Sequence, residues 1–211
     1  MRRTKAEAEQ TRHALLDAAL RVFGRLGYDA TTLEDIAREA QVTRGAIYWH
    51  FKGKAELYRA LLSERQQPGL DALSAAFASE APPLERLRTL LTLSVALLEE
   101  DPHYRATMEL TLFKTGASPE LAPGLAQKVE GLRGLRHSLA ALVRVGQQQG
   151  SLRPELVPEV VATTVVSLLN GVALTWLLDP EAFSPAAQAA AIADTVVAGL
   201  AVESLSATRQ A

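Results

Sequence analysis

Thr43 to Phe51, TRGAIYWHF, gathers a hydroxyl, a guanidinium, a glycine and three polar-edged rings on nine residues. The planar fork of Arg44 can donate two parallel hydrogen bonds to guanine, and Gly45 leaves room for a backbone to come close. Thr43, or the amides it precedes, can meet a phosphate. Tyr48, Trp49 and His50 can rest on a sugar-phosphate backbone or on thymine methyl groups. Ile47 and Phe51, four residues apart, bury and leave Arg44, Gly45, Tyr48 and Trp49 facing out. The spacing alone also permits the plainer alternative, in which Tyr48, Trp49 and Phe51 form a core cluster.

Other chemistry finds little support. The chain of 211 residues has no cysteine, which removes disulfides, thiolate nucleophiles and cysteine zinc sites. His13, His50, His103 and His137 lack metal-ligand spacing, and neither a Ser/His/Asp arrangement nor a glycine-rich phosphate loop is visible. The expectation is a protein that is not an enzyme and needs no metal or cofactor. A cluster of His103, Glu109 and His137 would be the place to look for an enzyme instead.

Charge is unevenly placed. Net charge is −2, yet residues 1 to 65 carry 12 Lys and Arg against 9 Asp and Glu, while the remainder carries 10 against 15. A cationic front half suits an anionic partner, and it equally suits an ordinary solvated face. The N-terminal MRRTKAEAEQTR contains no apolar run or small-residue cleavage site, so the expected location is cytoplasmic.

The elements that must position the nonapeptide read as helices throughout, with no alternating run long enough for a sheet. Leu15, Ala19, Val22, Phe23 and Leu26 make one stripe of a first helix, which Gly27 ends with Tyr28 packed back on Phe23. Thr32 begins a second helix as its cap, answered by Asp35 three residues on, with Leu33, Ile36, Ala37 and Ala40 facing inward. Thr43 caps the third helix, and Lys54 opens a fourth that carries Leu57, Tyr58, Leu61 and Leu62. Pro68 with Gly69 either kinks the fourth helix or ends it. Two short helices joined by AQVT, with small Ala37 where they cross, form a helix-turn-helix. The second of them is short enough to enter a major groove about 12 Å wide.

Further helices are expected at about 84 to 100, 103 to 115, 121 to 149, 157 to 178 and 185 to 205, separated by proline or glycine stop signals. Pro158 and Pro185 fall at first helical positions. The apolar runs Val160 to Leu178 and Ala186 to Val202 approach membrane-spanning length but carry Asn170, Gln188 and Asp194, so both read as buried helices and no membrane is expected. Val160, Val161, Leu168, Val172, Ile192, Val196 and Leu200 exceed what one core needs, and a second copy of the chain would cover the surplus.

The segment ALRVFGRLGYDATTLEDIAREAQVTRGAIYWHFKGKAELY, Ala19 to Tyr58, resembles the tetracycline-repressor (TetR) family of transcriptional regulators. VTRGAIYWHFKGKAEL is similar to the branch of multidrug-efflux repressors. The resemblance implies an all-α fold of about nine helices: an N-terminal three-helix helix-turn-helix DNA-binding domain over 1–54, then a larger helical ligand-binding and dimerisation domain over 55–211. It implies DNA contacts at Thr32, Thr43, Arg44, Gly45, Tyr48, Trp49, His50 and Lys54, with Ile47 and Phe51 as packing residues. One departure is Gln41, where the family's turn usually carries glycine and the backbone often needs positive φ.

Beyond residue 66 the likeness is looser. ATMELTLFKT resembles the sixth helix of the efflux-repressor branch, whose side chains line a drug pocket, and this makes Met108, Glu109, Leu112 and Phe113 ligand candidates. Such walls suit flat apolar molecules, and Glu109 could pair with a cation. The alternative is that Met108, Leu112 and Phe113 are core and Glu109 a surface charge. Asn170 and Trp176 lie in a stretch that looks like the family's eighth helix. Asn170 could line the pocket or satisfy a backbone group.

The function implied is a homodimer, paired through its last two helices, that represses transcription by binding a near-palindromic operator in double-stranded DNA. A small hydrophobic or aromatic inducer would release it, and an efflux or stress gene is the expected target. The alternatives are a helical protein–protein interaction module using Tyr48 and Trp49, or a transcriptional activator of the same fold.

Overall fold

A computed structural model describes residues 5–115 and 119–202. Among the described residues it contains nine α-helices: α1 Lys5–Ala30, α2 Leu33–Glu39, α3 Arg44–His50, α4 Lys54–Ala78, α5 Pro83–Glu100, α6 Pro102–Glu109, α7 Ala122–Gln148, α8 Pro158–Leu178 and α9 Pro185–Leu200. Only a single antiparallel bridge, Leu152 to Ala201, interrupts the helical character of the described residues. The expected last helix is shorter than anticipated, stopping at Leu200, and positions 203 to 205 lie outside the described residues.

The chain divides into two compact units. The first comprises the chain up to Gly69 together with Asp101–Gln127, and the second comprises Leu70–Glu100 and the chain from Lys128 onward. The chain passes between them at three places, inside α4, between α5 and α6, and inside α7. Pro68 removes one amide donor from α4, yet the helix continues to Ala78, so the proline is not its end.

The core of the first unit is built by α1 to α4. Leu15, Leu16, Ala18, Ala19, Val22 and Phe23 of α1 are fully buried, against Ile36 of α2, Ile47 of α3 and Leu57 and Leu61 of α4. Leu26, expected in the α1 stripe, is 43% exposed instead. Gly27 takes φ 75° directly after it and ends the regular helix, and Tyr28 supplies the last core side chain. Tyr28 stacks on Phe23 with ring centres 5.7 Å apart, and Tyr58 meets both rings edge-on at 5.0 Å.

Residues 102–121 belong to the same unit. Asp101 caps α6 by accepting from the amides of His103 (2.9 Å) and Tyr104 (3.1 Å). A π-helical turn, Leu110–Lys114, follows α6 and is closed by the Thr115 hydroxyl donating to the Leu110 carbonyl at 2.9 Å. Leu110 and Leu121 are buried in the core formed by α1 to α4. The Tyr58 and Thr115 hydroxyls also hydrogen-bond, which ties α4 to the end of that turn.

In the second unit α5 packs on α9 and α8, with Leu87, Leu90 and Leu91 against Val161, Ala162, Val165 and Ala193 and against Leu139, Leu142 and Val143 of α7. Arg88 of α5 reaches Asp194 of α9 through Nε (2.5 Å) and Nη2 (3.1 Å). Glu99 accepts from the Ser184 hydroxyl (2.6 Å) and the Ala186 amide (3.0 Å), which fastens the α9 N-terminus. These donors, the Ser184 hydroxyl first, hold the Glu99 carboxyl below its ordinary pKa.

Candidate nucleic-acid interface

The local fold around α3 follows from three capping devices. Thr32 and Asp35 form a reciprocal box: the Asp35 amide donates to Thr32 Oγ1 (3.2 Å), while the Thr32 amide (3.1 Å) and hydroxyl (2.6 Å) donate to Asp35 Oδ2. These donors, the Thr32 hydroxyl first, pull the Asp35 carboxyl below its ordinary pKa. Thr43 then caps α3, its Oγ1 accepting from Ala46 N at 3.3 Å. Between them Gln41 takes φ 54°, the only positive φ among the described residues other than glycine. That left-handed residue, together with the Val42 amide donating to the Ala37 carbonyl at 3.0 Å, turns the chain from α2 into α3.

α3 packs on one side only. Ile47 is fully buried and Phe51 nearly so, whereas Tyr48 is 48% and Trp49 73% exposed. The aromatics of the nonapeptide therefore divide, and the core-cluster alternative holds for Phe51 alone. An α-helix with its side chains is about 10–12 Å across, a cross-section that a major groove about 12 Å wide admits, and α3 is only seven residues long.

Thr43, Arg44 and Gly45 stand exposed at the start of α3. A Cβ built on Gly45 would meet nothing nearer than Thr43 Oγ1 at 3.9 Å. Nothing within the protein requires glycine there, so the open space lies on the outward side. Arg44 is held by Glu34 of α2 in an ion pair and by the Tyr48 hydroxyl, to which Nη2 donates at 3.0 Å. These contacts, Tyr48 first, raise the Arg44 pKa. His50 is half-buried, its ring edge-on to Trp49 at 4.7 Å.

Two more of the expected DNA contacts, Thr32 and Lys54, are also engaged within the protein. Thr32 uses its hydroxyl both as donor and as acceptor within the α2 cap. Lys54 donates from Nζ to the carbonyls of Tyr28 (3.0 Å), Asp29 (3.3 Å) and Thr31 (3.1 Å), which uses all three ammonium protons. The Thr32–Asp35 pairing was readable from spacing, whereas the Lys54 arrangement was not, because its partners lie 23 to 26 residues away.

The ligand candidates fall in different units. Met108, Glu109, Leu112 and Phe113 lie in the first, around the π-helical turn. There the fully buried positions are Thr107 and Leu110, while Leu112 (37%) and Phe113 (41%) are exposed, so these two are not core. Asn170 and Trp176 lie in the second unit. Asn170 is exposed and its Nδ2 donates to the Val166 carbonyl at 2.9 Å, the backbone-satisfying role, whereas Trp176 is buried. A shallow depression of about 400 Å³ beside them is lined by Leu168, Gly171, Val172, Thr175, Phe183, Gln188 and Ile192, and includes neither residue.

Residues 15–61 match the family of bacterial regulatory proteins, tetR family, and residues 83–201 match the BetI-type transcriptional repressor C-terminal family. The chain is 37% identical over 187 residues to the HTH-type transcriptional regulator TtgR of Pseudomonas putida, covering 86% of this chain and 87% of that one. NalD, the secondary repressor of the MexAB-OprM multidrug efflux pump in Pseudomonas aeruginosa, has a crystal structure similar at TM-score 0.80 and 28% identity, covering 93% of this chain and 99% of that one. SmeT, the repressor of the Stenotrophomonas maltophilia multidrug efflux pump SmeDEF, is similar at TM-score 0.75 and 27% identity over 94% of each chain. Its complex with triclosan gives TM-score 0.77 at 27% identity, covering 92% of this chain and 93% of that one. A short helix packed on one side only, capped and turned by its own sequence, thus joins matches that run over most of the chain, and the protein belongs to the tetR family of bacterial regulatory proteins, the helix-turn-helix transcriptional regulators.

Proposed function

We propose that this regulator is a cytoplasmic homodimeric repressor of an efflux or stress gene, which binds a near-palindromic operator and is released by a small hydrophobic or aromatic molecule. The observation that carries it is the contrast across α3, with Ile47 at 0% and Trp49 at 73% exposure. Arg44 and Gly45 would meet base edges, and Thr32, Thr43, Tyr48, Trp49 and His50 the backbone or thymine methyls. Lys54 would add its charge to the field while its protons stay on carbonyls. Residues 1–54 carry these contacts, and residues 55–211 supply ligand binding and pairing.

Pairing through α8 and α9 is supported by an apolar surplus. α8 has mean hydropathy 1.8 over a membrane-length window, of which only 28% is buried within one chain. Val160 (60%), Leu174 (40%) and Leu178 (68%) are exposed on it. A second copy covering these positions accounts for the surplus better than a lipid bilayer does, because the helix belongs to a regulator whose relatives bind DNA.

Release is supported by the packing of α6 and its π-helical turn on α1, which shares a core with α3. Met108 to Phe113 share a compact unit with α3, and the turn reaches α4 through Thr115 and Tyr58. A ligand that shifts this turn can bias α4 and, through the shared core, the recognition helix, with a coupling of about 1–3 kcal/mol. The relatives named for efflux pumps, and the triclosan complex of one of them, favour a hydrophobic or aromatic inducer.

Titrating the full-length protein into duplex from its own upstream region at several salt concentrations tests this reading. The expected result is an affinity that falls linearly on a log–log plot of salt, with two protected half-sites about 34–36 Å apart or a multiple of it. Salt-independent binding without sequence preference overturns it.

A further inference from the structure

Arg44 is the single cation of α3 before His50, and the free protein already grips it. Its guanidinium pairs with the Glu34 carboxylate, donates to the Tyr48 hydroxyl at 3.0 Å, and lies with Cζ 5.5 Å from the centre of the Tyr48 ring. Both charged partners are partly exposed, Arg44 at 58% and Glu34 at 47% of the side chain, so the pair sits on the outward surface.

Glu34 is not needed for the cap of α2. Thr32 and Asp35 complete that cap between themselves, and Asp35 faces Arg38 at 3.4 Å. An acid in the first turn also favours the helix dipole, but Asp35 is equally placed for that. What distinguishes Glu34 is its reach across to α3, onto the one side chain best suited to read guanine.

We propose that Glu34 is a specificity-determining residue of the DNA-binding surface: its carboxylate occupies the guanidinium of Arg44, and only a well-placed base edge displaces it. The inference rests on the DNA-binding reading given above. On an arbitrary duplex Arg44 can exchange Glu34 only for a phosphate, one anion for another in similar water, and Glu34 is then left facing a polyanion. At a guanine, O6 and N7 accept two aligned hydrogen bonds that the fork of arginine fits. The carboxylate therefore weakens binding to the wrong sequence more than binding to the right one. Tyr48 holds the other side of the fork, so the guanidinium stays aimed along the surface when Glu34 lets go.

The test uses the full-length protein with its own upstream fragment and a shuffled fragment of the same composition, each at several salt concentrations. Glu34→Gln removes the charge at constant shape, Glu34→Asp keeps the charge, and each is repeated with Arg44→Ala. Thermal unfolding of every variant checks that it is folded.

With Glu34→Gln, binding to the shuffled fragment should tighten by about 3- to 10-fold and its salt slope steepen by about one, as one more cation becomes available to phosphate. Binding to the upstream fragment should change less, so discrimination falls. Glu34→Asp should retain most of the discrimination, and in the Arg44→Ala background Glu34→Gln should tighten both fragments alike, through relieved repulsion, and leave discrimination unchanged. Equal weakening on both fragments, or a loss of discrimination with Glu34→Gln that persists without Arg44, overturns the proposal. A wild-type protein that fails to distinguish the two fragments overturns the DNA-binding reading itself, which is a separate and recognisable result.

Discussion

The Lys54 ammonium lies 4.4 Å from the centre of the Tyr28 ring and donates to the Tyr28 carbonyl oxygen at 3.0 Å. With Asp29 and Thr31 also accepting, the first residue of α4 closes the end of α1, where four carbonyls would otherwise lack partners. Thr31 adds its own bond there, its hydroxyl donating to the Gly27 carbonyl at 2.7 Å.

Lys54→Met, which keeps the stem and removes the donors, should therefore cost about 1–3 kcal/mol of folding stability, the usual worth of hydrogen bonds to a charged group. Urea unfolding measures it. A variant as stable as the wild type that nonetheless loses operator affinity would assign Lys54 to a phosphate instead.

Gly45→Ala should separate folding from binding. The nearest atom to the added methyl is 3.9 Å away, and alanine is the better helix former by about 0.5–1 kcal/mol, so stability should hold or rise. Operator affinity should drop by about 5- to 150-fold, since one methyl wedged at a packed surface costs about 1–3 kcal/mol. Unchanged affinity, measured by fluorescence anisotropy, would show that DNA does not approach this part of α3.

Gly146 of α7 serves packing alone. A Cβ there would run into the Leu152 side chain and stand 3.2 Å from Pro83 Cβ, while the Gly146 carbonyl accepts from the Ser151 amide at 2.9 Å. Gly146→Ala should destabilise by about 1–3 kcal/mol through overpacking, and Leu152→Ala in the same chain should recover part of the loss. Simple additivity of the two changes would rule out the steric conflict.

Alkali should unfold the protein through its buried phenols. Burial pushes the pKa of Tyr28, Tyr58 and Tyr104 above the ordinary value of 10.0, with Glu120 adding to the shift at Tyr28 and Asp101 at Tyr104. The Thr115 bond opposes it at Tyr58. Because the folded state holds these protons more tightly, their contribution is complete below about pH 10 and is lost as pH rises through the folded values. Denaturant unfolding and tyrosinate absorbance followed together from pH 9 upward should show stability falling before these phenols ionise in the folded chain. Constant stability across that range would contradict the burial.

Wherever the determining contact is local, the residues announced it. Thr32 with Asp35, Thr43 before α3, Gly27 at φ 75°, Gln41 at φ 54° and proline at the starts of α8 and α9 are each settled within a few residues. The one-sided packing of α3 belongs with them, since Ile47 and Phe51 share a face by helical spacing. The exposure of Leu26 was not legible, because spacing places it on the stripe and only the packing of other elements decides what covers it. The π-helical turn at Leu110–Lys114 was not legible either: its five-residue hydrogen bond has no distinctive composition.

An all-helical chain with a short outward-facing helix between two capped turns was thus determined by the order of residues alone, because capping, turn chirality and amphipathic period act within a span of about four residues. Tertiary structure decided which polar groups remain available to DNA. It committed Lys54 to the end of α1, set Glu34 against Arg44, and placed the π-helical turn in the same unit as α3. Such pairings join residues well separated in the chain, and only the packing of helices on a shared core brings their side chains within a bond's length.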